Sequence, residues 1–135
     1  MQLQAYLTFN GTCEAALNFY KDVLGGEIVG ISRFGETPME FAEEDKNRIM
    51  NAVFNFGTNT FMASDTMPGE GTPTKGNITM ALVTTDIEAT ERTFAALAEG
   101  GQVAMPLENT FWNAKFGMLI DKFGIEWMIN CDFVQ

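Results

Sequence analysis

The chemistry open to this chain is bounded by its titratable and ligating residues. None of the 135 residues is histidine, so the commonest nitrogen ligand and the usual acid–base group near neutral pH are both missing. Cys13 and Cys131 are the only thiols. They lie far apart, neither sits in a CxxC motif, and neither has a histidine to take its proton. They read as buried free thiols of a reducing compartment, not as a nucleophile or a disulfide. Among the carboxylates, Asp121 and Glu126 flank the last short turn. Strand parity points Glu126 inward beside Met128, where a lone carboxylate could serve as acid or base; a solvated charge at a strand end is the plainer reading. Nine methionines supply thioethers, which suit soft Cu(I) rather than Zn, Ni, Fe or Mn. No glycine-rich strand-to-helix loop precedes an acidic ribose ligand. Gly25-Gly26 and Gly100-Gly101 follow helical segments, so they end helices and do not cradle phosphate.

Composition narrows the classes further. The formal charge is −10, from 8 basic and 18 acidic side chains, which disfavours nucleic acid and anionic membranes as partners. The charge serves solubility, and a sharper reading is attraction of a cationic ligand. The 46% hydrophobic content suits a folded domain with a core. No apolar run approaches the ~20 residues of a membrane span, and the N-terminus lacks the basic start and apolar stretch of a signal peptide. The expected location is the cytoplasm.

The elements that must position these groups are written twice. Residues 6–28, YLTFNGTCEAALNFYKDVLGGEI, align with 81–103, ALVTTDIEATERTFAALAEGGQV, at an offset of 75. Leu7 meets Leu82, Phe19 meets Phe94, and the glycine pairs coincide. Later segments match at 67, with Phe56-Gly57 on Phe123-Gly124 and Asp65 on Asp132. The change predicts eight extra residues in the first copy, between Gly26 and Phe56, mostly in the charged segment 33–48. That segment reads as an exposed loop with a short helix possible near 39–46.

Each copy opens with a strand, 5–9 or 78–84. A helix follows: Ala16, Leu17, Phe19, Tyr20, Val23 and Leu24 recur at helical spacing in the first copy. Thr12 is the expected N-cap there, and Thr85 or Asp86 in the second copy. Three strands complete each copy, near 27–34, 49–56 and 59–65, then near 102–108, 115–121 and 125–131, with short glycine turns joining the last pairs. The reading is a single α+β domain over 1–135: module one at 1–65, a Pro/Gly/Thr-rich linker at 66–77, and module two at 78–135. Two βαβββ modules are expected to form a curved mixed sheet around a shared concave cavity, a natural small-molecule site.

On these stretches, with IMNAVFNFGTNTFMASD (49–65) and TFWNAKFGMLIDKFGIEWMINC (110–131), the chain resembles the PhnB-like branch of the vicinal-oxygen-chelate superfamily of glyoxalases, bleomycin-resistance proteins and extradiol dioxygenases. Enzymes of that superfamily usually hold a metal through the first and last strands of each module. The resemblance carries those positions to Ala5, Met62, Met80 and Met128, give or take one residue, and carries a histidine often seen in PhnB-like proteins to Asn51. None of the first four is a hard-cation ligand and the histidine is missing at Asn51, so no metal site and no cofactor are expected. The resemblance also implies a homodimer.

If the ligand-equivalent positions face inward, their i±2 neighbours do too. That places Leu7, Phe9, Asn51, Val53, Met62, Ser64, Met80, Leu82, Met128 and Asn130 inside, with Phe111 and Trp112 as a wall; Trp127 has the opposite parity. The residues expected to bind a ligand are Phe9, Asn51, Met62, Met80, Trp112, Met128 and Asn130. Their lining suits a hydrophobic or aromatic molecule, and the same methionines could instead fill a packed core. The expected function is a metal-independent small-molecule-binding protein with an apolar cavity, with catalysis left open. The alternatives are a glyoxalase-type metal-dependent lyase or isomerase, and sequestration of a cationic drug in the manner of bleomycin resistance.

Overall fold

The computed structural model describes residues 2–73 and 78–133. It divides into two compact units, Met1–Lys75 and Gly76–Gln135. The first runs β1 (Tyr6–Phe9), α1 (Cys13–Leu24), β2 (Glu27–Arg33), β3 (Ile49–Phe56) and β4 (Asn59–Asp65). The second repeats the order as β5 (Met80–Thr84), α2 (Ile87–Ala98), β6 (Gln102–Asn109), β7 (Ala114–Ile120) and β8 (Glu126–Asp132). Each unit is a four-stranded mixed sheet, ordered β1-β4-β3-β2 or β5-β8-β7-β6. The first strand is parallel to the last, and the other neighbours are antiparallel. The α+β class and the paired βαβββ modules are therefore present.

One helix lies on one face of each sheet because each helix has a single apolar stripe. In α1, Ala16, Leu17 and Tyr20 are buried against Leu7, Phe9, Ala52, Phe54, Phe61 and Ala63. The Phe54 and Phe61 rings stack with centroids 5.0 Å apart, and Tyr20 meets Phe61 edge-on at 6.2 Å. In α2, Thr90, Phe94 and Leu97 are buried on the side of Leu119, Trp127, Ile129 and Cys131. Fully burying each large apolar side chain contributes roughly 1.5–3 kcal/mol, so the helix-facing layers hold each module together.

The helix ends differ from one another. Asp86 caps α2 locally, its carboxylate accepting from the Ala89 amide at 3.0 Å. Thr12 precedes α1 but makes no side-chain cap bond. The carboxylate of Asp65, at the end of β4, takes that part: it accepts from Cys13 N at 3.0 Å and from Ile49 N at 2.9 Å. A cap drawn from 52 residues away leaves no local signature. Gly25 ends α1 with φ 74°, the left-handed geometry that favours glycine.

Pairing also corrects the repeat. Ile28 pairs with Phe54 and Val103 with Leu119, leaving 25 residues between the first two and 15 between the second two. Between its second and third strands the first copy is thus longer by ten, not eight. The surplus forms the 34–48 segment, which contains 3-10 turns at Phe34–Glu36 and Glu43–Asp45 in place of a helix over 39–46. Two residues, Gly57 and Thr58, turn between β3 and β4, whereas five turn between β7 and β8. The Phe-Gly match therefore aligned turns of unequal length. Phe61, Ala63 and Asp65 correspond to Trp127, Ile129 and Cys131, so Asp65 is matched by Cys131 and not by Asp132.

The expected linker begins anchored. Thr66 is buried, its amide donates to Phe9 O at 2.7 Å, and Arg48 Nη2 donates to Thr66 O at 2.8 Å. Residues 74–77 of that segment lie outside the described residues. Among the described residues no helix is long and apolar enough to cross a membrane.

Candidate functional site

Paired residues on neighbouring strands share a face, so the registers decide which side chains look away from each helix. Lys115 on β7 reaches Glu91 on α2 with N–O 2.6 Å, and Thr84 Oγ1 meets Thr90 Oγ1 of α2 at 2.6 Å. These contacts assign Thr84, Lys115 and their row partner Cys131 to the helix-covered face. By alternation Met80, Leu82, Gly117, Leu119, Trp127 and Ile129 join them. The face free of the helix carries Ala81 and Val83, then Glu126, Met128 and Asn130, then Phe116, Met118 and Ile120, with Met105 and Glu108 on the edge strand.

This second-module face is aromatic at one end and thioether-rich in the middle. Trp112 lies in the turn before β7, and its indole Nε1 donates to Asn130 Oδ1 at 2.9 Å. Asn130 Nδ2 in turn donates to Asp132 Oδ1 at 2.8 Å. Phe116 meets the Trp112 ring edge-on at 5.7 Å, and Phe111 does so at 5.0 Å. Trp112 is 48% exposed and Phe111 97% exposed. The turn needs an unusual backbone: Asn113 has φ 63°, and its carbonyl accepts from Phe133 N at 3.1 Å. A tryptophan fixed through its only donor offers a rigid, half-exposed flat surface, and such surfaces take aromatic or cationic partners well.

The equivalent face of the first module is more polar. Asp65 touches the start of α1, so Phe9, Leu7 and Ala63 belong to the helix side. The other face holds Tyr6 and Thr8, Met62 and Ser64, Asn51, Val53 and Asn55, and Gly30 and Ser32. Asn51 Nδ2 stands 3.4 Å from the Tyr6 hydroxyl, and Thr60 Oγ1 donates to Asn55 Oδ1 at 2.8 Å.

Of the residues expected to bind a ligand, Asn51 and Met62 share the helix-free face of the first module. Met128, Asn130 and Trp112 share that of the second. Phe9 and Met80 do not: both first strands have the opposite parity, as do their neighbours Leu7 and Leu82. Phe9 is 2% exposed in the core. The first-strand residues beside Met62 and Met128 are Tyr6 and Ala81, one position along from Ala5 and Met80. Phe116, Met118 and Met105 were missed. Pairing across β6, β7 and β8 brings them in; Phe116 and Met118 lie in the alternation FGMLI of β7, and Met105 on β6 has no such signal.

The acids divide by role. Asp121 is 3% exposed and accepts from Phe123 N at 2.9 Å, Ile125 N at 3.1 Å and Trp127 Nε1 at 2.9 Å. It fastens the turn and the buried tryptophan, and is not an acid–base group of the open face. Glu126 shares Met128's face, as its parity indicated, and stands 3.5 Å from Thr79 Oγ1. Cys13 is buried, and burial, then the Asp65 and Glu14 carboxylates, push its thiol up to about 12. It is therefore no nucleophile at neutral pH. Among the described residues no group of three or more His, Cys, Asp or Glu could hold a metal ion.

Comparison with known proteins gives a consistent result. The model for the family 3-demethylubiquinone-9 3-methyltransferase matches residues 1–130. Protein YjdN of Escherichia coli K12 is 34% identical over 140 residues, spanning 96% of this chain and 95% of its own. The crystal structure of protein PA1353 from Pseudomonas aeruginosa is 41% identical with a TM-score of 0.89, covering 99% of each chain. A PhnB protein from Bacillus cereus is 29% identical with a TM-score of 0.81, covering 97% of this chain and 99% of that one. The fold is also that of a glyoxalase/bleomycin resistance protein/dioxygenase family enzyme from Burkholderia phytofirmans, at 14% identity and a TM-score of 0.63, over 94% of this chain and 96% of that one.

Proposed function

This chain belongs to the 3-demethylubiquinone-9 3-methyltransferase (PhnB-like) family, on the glyoxalase/bleomycin-resistance fold, and from that premise we propose that it is a small-molecule-binding protein that works without a divalent metal. The observation that carries this reading is Trp112, held by Asn130 at 2.9 Å beside Phe116 on a helix-free sheet face. Met118 and Met128 extend that face as adaptable apolar floor. The ligand class this favours is a flat, hydrophobic or aromatic molecule stacked on the indole, bordered by the Asn130 amide.

The family model's description names methyl transfer. The chain's own residues give that reaction little support, because Gly25-Gly26 and Gly100-Gly101 follow α1 and α2 and cradle no nucleotide-like cofactor. A glyoxalase-type metal reaction would need donors that the Met62 and Met128 positions do not supply. Protein purified without chelator and carrying stoichiometric Zn, Ni, Fe or Mn would restore that reading.

A second reading has its own support. Glu108 and Glu126 share the aromatic face and Asp132 lies at its end, on a chain of net charge −10. These favour a cationic aromatic ligand of the bleomycin type. We propose a cytoplasmic homodimer as the working form, which sedimentation equilibrium tests.

The deciding experiment is a thermal-shift screen over a broad aromatic and lipophilic library, followed by tryptophan fluorescence on the hits. Trp127 is buried and Trp112 is not, so a ligand on this face quenches emission that Trp112→Phe removes. No hit across the library overturns the proposal. Binding to cations that ignores salt removes the second reading.

A further inference from the structure

We propose that Met105, Met118 and Met128 form a Cu(I) site, three thioethers holding a soft monovalent ion on the helix-free face of the second sheet. This goes beyond the small-molecule reading, which requires only that the row be apolar.

The argument starts from register. Met105 pairs with Met118, and Met118 with Met128, on three adjacent strands. Paired residues point the same way and neighbouring strands lie about 4.8 Å apart. The outer two side chains thus each stand one strand spacing from the central one. Methionine has three rotatable bonds, so both outer sulfurs can lean over Met118. Ala81, which continues the row beyond Met128, is too small to fill the space above it. The sulfurs are reachable: Met105 is 48% exposed, and Met118 and Met128 are half-buried. Glu126 lies two residues from Met128 on the same face and supplies countercharge nearby.

The duplicated fold provides an internal control. The corresponding row of the first sheet is Gly30, Val53, Met62 and Tyr6. The same backbone positions there carry one thioether, beside a glycine and a valine. Three methionines in one row are therefore a property of the second copy and not a demand of the architecture. Thioether sulfur is a poor donor to hard divalent ions and a good one to Cu(I), so the set selects the metal by its chemistry.

The test is anaerobic titration of the full chain against the chromophoric Cu(I) complex of bathocuproine disulfonate. Parallel spectra are taken of protein labelled with 13C at the methionine methyls. The expected result is one equivalent of Cu(I) withdrawn from the competitor, with the methyls of Met105, Met118 and Met128 shifted and that of Met62 unmoved. Met118→Leu conserves volume and should fold, since such exchanges cost under about 1.5 kcal/mol. It should weaken binding by at least about tenfold, the range that even outer-shell partners command, while Met62→Leu binds as the parent does. Failure to draw Cu(I) from the competitor overturns the proposal. So does binding that survives Met118→Leu but disappears when Cys13 and Cys131 are both alanine, since that marks a thiolate site. If Met118→Leu does not fold, the parent's methyl shifts decide alone: those three shifted support the site, and any other set overturns it.

Discussion

Replacing Asp65 by alanine tests whether a single distant carboxylate holds the first module's helix to its sheet. The side chain is 5% exposed and accepts two backbone amides, Cys13 N at 3.0 Å and Ile49 N at 2.9 Å. Hydrogen bonds to a charged group are worth about 1.5–3 kcal/mol each, and a buried amide left without a partner carries its own desolvation penalty. Asp65→Ala strands two such amides, so the expected loss is about 3–5 kcal/mol. That is a large share of the ~5–15 kcal/mol by which domains are stable. Urea unfolding followed by far-ultraviolet circular dichroism reads it as a lowered midpoint with an unchanged slope. Asp65→Asn keeps one acceptor oxygen and turns a donor toward the second amide, so it falls between parent and alanine variant. Thr12→Ala should cost under about 0.5 kcal/mol, because Thr12 makes no cap bond, whereas Asp86→Ala should cost about 1 kcal/mol, an ordinary local cap. A loss below about 1 kcal/mol for Asp65→Ala, or a larger loss for Thr12→Ala, would refute the reasoning.

Other outcomes follow from the same geometry. With its thiol pushed up to about 12 by burial and neighbouring carboxylates, Cys13 should resist iodoacetamide at pH 8 in native protein and react once denaturant is added. The folded state also refuses a thiolate that the unfolded state forms from about pH 9. Stability should therefore fall as pH rises from there towards 12, read as a dropping urea midpoint that Cys13→Ala flattens. Gly26→Ala would bring its Cβ to 2.5 Å from Asn55 O, and the forced shift should cost about 1–3 kcal/mol in a thermal melt. Asn130→Leu removes the acceptor of the Trp112 indole; it should weaken any Trp112-quenching ligand by several-fold and red-shift the emission while leaving the melt within about 1 kcal/mol. Arg33 holds the Glu14 carboxyl below its ordinary value through a two-pronged contact at 2.8 and 3.0 Å. Its contribution should be present above the usual carboxylate range, fade as pH falls through the lowered value, and stay under about 1 kcal/mol when Glu14→Gln is compared at pH 7.

The order of elements was legible because periods of 2 and 3.6 survive in both copies, and the glycine pairs mark both helix ends. The faces of the first strands were not. In AYLTF both registers carry large apolar groups, Leu7 and Phe9 on one side and Tyr6 on the other. In β5, Met80 and Leu82 alternate with Ala81 and Val83. Alternation then shows that two faces exist without saying which one a helix covers; only the partners Asp65 and Thr90 settle it. The offset of 67 failed for a related reason. Phe-Gly recurs in both turns, but the turns hold two and five residues, so similar letters occupy different geometry. Trp112, Met128 and Asn130 could be assigned to one face because they sit on strongly patterned strands or at their ends. Met105 and Met118 depended on pairing between strands, which single-strand periodicity does not contain.

Every ladder of the described residues is internal to one module: β1 to β4 pair only among themselves, as do β5 to β8. Two chains could therefore trade halves without losing one strand-to-strand bond, the low-cost route by which domain swapping makes dimers. A swapped pair and an unswapped pair would have the same sheets and the same helix-covered cores. Separating a swapped pair would require no strand to unzip.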